Sequence, residues 1–146
     1  MIAVDTSLLV RYAVKDDPAQ TVAATEFLQN SPCHVLKTVL LELVWVLSSS
    51  AGYNLSRGVV VERLKHVLGL PTVETEHAVC VAQAITWYEQ GMDFADALHL
   101  ASSSELHGFA TMDRTLKERA DKAGCHPSVV LLNWSSLPDS RSDVSA

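Results

Sequence analysis

The chain has little cysteine, no long apolar run and no excess of basic residues. Its three cysteines, Cys33, Cys80 and Cys125, are far apart and odd in number. That pattern excludes a disulfide framework and the close spacing of a zinc site, so reduced thiols are expected. No stretch approaches the roughly 20 apolar residues of a membrane span. The opening residues carry neither a basic leader nor a long apolar core, so a soluble cytoplasmic protein with no membrane partner is expected. Lys and Arg number 11 against 17 Asp and Glu, for a net charge of −6. A broad cationic surface for nucleic acid is therefore not expected. Phosphate chemistry at one site is not excluded, because a bound metal offsets local acid. The six histidines show no HExxH spacing. There is no internal repeat and no linker.

What remains is apolar. The 146 residues are 48% hydrophobic, enough for one packed domain, expected over 1–134. The tail 135–146, rich in Ser and Asp, is expected to be disordered. A strand at 2–5 leads into a short helix near 7–14. Asp17-Pro18 has the form of an N-cap followed by proline at the first helical position. The helix it starts is expected to reach Asn30, with Val22, Ala23, Phe27 and Leu28 inward. A second strand is expected at 33–36, then a helix capped by Thr38 that ends before Gly52. Another helix starts near 54–56, with Val60, Leu64, Val67 and Leu68 on one face. Short strands follow at 72–74, 109–111 and 127–132, separated by helices at 76–90, 94–106 and 113–123. Alternating strands and helices, with apolar strands, predict an α/β sandwich on a mostly parallel five-stranded sheet.

Four acids stand beside apolar runs: Asp5, Glu42, Asp96 and Asp113. In a parallel α/β sheet, ligands bind beyond the carboxyl ends of the strands. Asp5 and Asp113 follow strands, and Glu42 and Asp96 lie early in helices, so all four are expected at one edge. Converging carboxylates without local cations suit a hard divalent metal. Each also has a structural reading. Asp5 and Asp113 can be helix N-caps, and Asp96 can complement a helix dipole. Glu42, among Leu40, Leu41, Leu43, Val44, Trp45 and Val46, is expected to need a partner or a metal. Asp93 reads either as an outer acid of the site or as the N-cap of the helix bearing Asp96. His99, one turn beyond Asp96, reads as packing.

The segments DTSLLVRYAVKDDPAQ, TVLLELVWVL, DFADALHLA and FATMD, in this order and spacing, resemble PIN-domain proteins, and among them the VapC-type toxin ribonucleases. The resemblance spans about residues 1–134 and implies a PIN-like three-layer α/β/α sandwich. It implies that Asp5, Glu42, Asp96 and Asp113 are the catalytic and metal-binding acids, with Asp93, Thr6, Ser7 and Thr111 supporting. It further implies a Mg²⁺- or Mn²⁺-dependent endoribonuclease cutting single-stranded or loop RNA. Its expected partners are a second copy of the chain and a small VapB-type antitoxin. A homodimer is also expected from apolar side chains on the middle helices, including Val44, Trp45, Leu47, Val59 and Val60. Arg11, Lys15, Arg57 and Arg114 are candidates to meet phosphate. The alternatives are a housekeeping PIN nuclease and a non-catalytic PIN-like binding module. A flavodoxin-like phosphoacceptor fits poorly, since Val73-Glu74 and Leu132-Asn133-Trp134 stand where its Asp and Lys would be.

Overall fold

Five strands alternate with seven helices in a computed structural model that describes residues 1–132. The expected boundary at 134 and the expected disordered tail lie outside the described residues. The elements are β1 (Ile2–Ala3), α1 (Thr6–Val14), α2 (Pro18–Asn30), β2 (Cys33–Val35), α3 (Lys37–Ser48) and α4 (Arg57–Leu68). They continue as β3 (Val73–Thr75), α5 (Ala78–Glu89), α6 (Phe94–Ser102), β4 (Phe109–Thr111), α7 (Arg114–Ala123) and β5 (Val129–Leu131). Every strand pairing is parallel: β1 with β2, β2 with β3, and β4 with β5. The ladders form one group of three and one of two. Parallel neighbours require crossover connections, which the helices provide. The result is the expected α/β fold with helical layers about parallel strands.

Local chemistry sets most helix starts. Asp17 accepts from the Gln20 amide at 3.0 Å, with Pro18 at the first helical position of α2. Ser56 caps α4 through the Val59 amide. The start of α3 differs from expectation: its N-cap is Leu36, not Thr38. The Lys37 amide donates instead to the carboxylate of Glu76, 3.3 Å away. The first turn of α3 is thus capped from the far end of β3, a partner that local sequence does not reveal.

Two burial expectations are corrected. In α2 the inward residues are Ala24 and Leu28, with Phe27 half-buried, whereas Val22 is 57% exposed and Ala23 also faces solvent. The buried stripe follows the helical spacing from Ala24, and the two residues just before it project from other faces. In α3 the buried set is Leu40, Leu43, Val44 and Leu47. That stripe turns Glu42 and Trp45 outward. Glu42 is exposed and therefore needs no buried partner, and Trp45 is 60% exposed.

The same packing shrinks the apolar surface expected for a dimer. Val44, Leu47 and Val60 are core residues of the single chain, Val59 is half-buried, and only Trp45 of the five is open. The core continues through α6, which buries Phe94, Ala97, Leu98, Leu100 and Ala101 and packs chiefly against α5. This packing holds the first turn of α6, with its acids, at the protein surface.

Candidate active site

The amide of Val4 donates to the His34 carbonyl, extending the β1–β2 ladder and delivering Asp5 at its end. Asp5 is the N-cap residue of α1 but its side chain makes no capping bond. Its Oδ2 accepts instead from the Ser7 hydroxyl at 3.0 Å. Asp113 follows β4 and does cap its helix. One oxygen, Oδ1, accepts from the amides of Thr115 (2.9 Å) and Leu116 (3.2 Å). The Asp113 amide in turn donates to Thr111 Oγ1 at 3.1 Å. Ser7 and Thr111 therefore each touch a predicted acid or its backbone.

Asp93 is the N-cap of α6, its Oδ2 accepting from the amide of Asp96 at 3.1 Å. The capping role and a place in the site coexist. Asp93, Asp96 and Asp113 line one cleft of about 370 Å³, with Arg57 and Arg119 among its other walls. Half-burial pushes the Asp96 carboxyl above its ordinary value. The negative charges of Asp93 and then Asp113 push it further, and His99 only partly opposes them. A nearby cation would favour the charged form of Asp96.

This cleft brings three of the predicted acids together. Asp5 and Glu42 do not line this cleft. Arg11 is bound to Asp16, Gln20 and Tyr53 rather than to a candidate acid. Arg57 is held by the carbonyls of Tyr88 and Met92, each 2.7 Å away, and lies over the Tyr88 ring. Arg119 was not foreseen. Its signal was the helical spacing of α7, where Leu116 and Ala120 face inward and Arg119 lies beside them.

Thr6 is the one buried side chain among the described residues whose polar atom, Oγ1, finds no partner. A buried unpaired hydroxyl costs about 1–3 kcal/mol. Thr6→Val, of nearly the same shape, is expected to raise stability by about 1 kcal/mol, read as a higher denaturant midpoint at unchanged slope. A loss of stability would show that the hydroxyl has a partner in solution.

Residues 2–122 match the family model described as PIN domain. The chain belongs to the PIN domain family. No curated protein matches it in a direct comparison. Membership makes this a nuclease-type fold. PIN nucleases generally use divalent metal ions. The carboxylate oxygens that line the cleft are of the donor type that Mg²⁺ and Mn²⁺ prefer. Among the described residues, no three Asp, Glu, His or Cys side chains are grouped to hold one ion. A Mg²⁺ ion that keeps several waters and takes one or two carboxylates directly is compatible with that open arrangement.

Proposed function

We propose that this PIN domain is a Mg²⁺- or Mn²⁺-dependent endoribonuclease, the toxin of a toxin–antitoxin pair, acting on single-stranded or loop RNA in the cytoplasm. The observation that carries the reading is the cleft in which Asp96 stands between the charges of Asp93 and Asp113, with two arginines in its walls. Asp96 and Asp113 would hold the ion, with Asp93 as an outer acid. Asp5 and Glu42 belong to the proposed set through the likeness of their segments to PIN-domain proteins, the family that residues 2–122 match. When bound, the ion would supply an activated water and stabilise charge on the leaving oxygen. The protein's own part is placement. Arg57, fixed by two carbonyls and the Tyr88 ring, presents its remaining N–H groups to a phosphate without having to be ordered first.

An antitoxin of the VapB type and a second copy of the chain are the proposed partners. Trp45 lines a groove of about 430 Å³ with Leu41, Leu55 and Phe94, and Asp93 and Arg57 line both this groove and the acidic cleft. A peptide seated over Trp45 would therefore lie within reach of the acids, where an Arg or Lys of the antitoxin can take the cation's place. RNA cleavage by the purified protein is expected with Mg²⁺ or Mn²⁺ and is expected to stop with chelator. Absence of cleavage with either ion would leave a non-catalytic PIN-like binding module. Growth arrest on expression, relieved by a neighbouring small gene, separates a toxin from a housekeeping PIN nuclease.

A further inference from the structure

Adjoining the acidic cleft is a larger cavity of about 690 Å³, lined by the end of α5, the residues after it and α7. Trp87 and Met92, 7% and 3% exposed, contribute its apolar part. Gln90, Arg119 and Lys122 contribute polar and cationic groups. Arg119, Gly91 and Met92 line both cavities, so the two adjoin along a shared wall. Arg119 is tethered there by a hydrogen bond from its Nη1 to the Gly91 carbonyl. That single bond leaves most of the five guanidinium N–H groups free.

The cations of α7 differ from one another in their pairing. Lys117 on the same helix is paired with Asp121. Among the described residues, Arg119 and Lys122 have no acidic partner. They are three residues apart on α7 and so are neighbours on its surface. Two cations beside a cavity of this size match one nucleotide unit, with phosphate at the cations and the base in the cavity. Gln90 adds a donor and an acceptor for a base edge. The cavity has the volume of a small-molecule site and cannot admit a stacked duplex.

We infer that this second cavity is a substrate subsite. It seats a nucleotide of single-stranded RNA next to the scissile position, with Arg119 and Lys122 gripping the phosphates that leave the acidic cleft. The inference rests on the nuclease reading for its direction, but binding tests it separately from cleavage.

The probe is a fluorescein-labelled single-stranded RNA of about twelve nucleotides, within the usual site sizes, titrated in EDTA at several salt concentrations. Arg119→Gln and Lys122→Gln are each expected to weaken binding by roughly tenfold to a hundredfold, the scale of one charged hydrogen bond. Each is also expected to reduce the slope of log K against log salt by about 0.7, the value for one phosphate contact on a single strand. Lys117→Gln is expected to change neither quantity. Lys122 makes no hydrogen bond among the described residues, so its variant isolates ligand contact from folding even if Arg119→Gln disturbs the Gly91 tether.

Wild-type protein that cleaves RNA while both variants bind as before would overturn the subsite and leave the nuclease intact. Equal losses for all three variants would also overturn it, by reducing the effect to general charge. Wild-type protein that does not bind the probe would overturn it outright. Binding that depends on Arg119 and Lys122, in a protein that cleaves with neither ion, would support the subsite and remove the catalytic reading.

Discussion

Asp96→Asn is expected to lower RNA cleavage by about two orders of magnitude or more, the scale on which an electrostatic group at a reacting centre acts, while making the protein more stable. The two effects share one cause. Asp96 is half-buried and faces Asp93 and Asp113, and its carboxyl is pushed above its ordinary value. The folded state therefore keeps this proton to higher pH than the unfolded state does. Stability contributed by Asp96 is fully present below the unfolded value and is lost as pH rises through the raised folded value. Above that window the folded protein carries the whole penalty of the charged form. Asparagine has nearly the same shape and no charge, so it removes the penalty. In chelator the variant should melt higher than wild type at neutral pH, and the difference should vanish in acid. With Mg²⁺ present the wild type should recover, because an ion that binds only the folded site stabilises it. A variant no more stable than wild type at neutral pH would remove the proposed strain. Full activity in the variant would remove Asp96 from the site.

Leu100→Ala is expected to destabilise the fold by about 2–5 kcal/mol, as removal of a fully buried leucine does. Leu100 is 0% exposed and lies one helical turn beyond Asp96 on α6. Total stability of a domain this size is on the order of 5–15 kcal/mol, so the loss is a large fraction of it. Thermal melting should fall by about 10 °C. Cleavage should fall with it even below the transition, since α6 carries Asp96 and a repacked α5–α6 seam moves that acid within the cleft. Trp45→Ala is the contrasting case. The ring is 60% exposed, so its removal should change stability by less than about 1 kcal/mol. A large loss for Trp45→Ala in dilute protein would mean that a second chain already covers it.

The sequence by itself determined the order of elements and the local addresses of the acids. Asp17-Pro18 specified the start of α2, and Gly124, left-handed at φ 66°, specified the end of α7. Alternating helices and short apolar strands were sufficient for the α/β class, because those signals lie within a few residues of one another. Asp5 and Asp113 were legible at strand ends for the same reason. Tertiary structure decided which side of each helix faces inward. In α3 nearly every residue around Glu42 is apolar, so periodicity could not reveal the buried stripe, and only packing turned Glu42 and Trp45 outward. Tertiary structure also decided which distant groups meet. Glu76 caps α3 across 39 residues. Asp93, Asp96 and Asp113 share a cleft to which α7 adds Arg119. Such meetings depend on how strands and helices dock. Short-range propensity carries no information about docking, because the free energy that selects it comes from burial spread over the whole core.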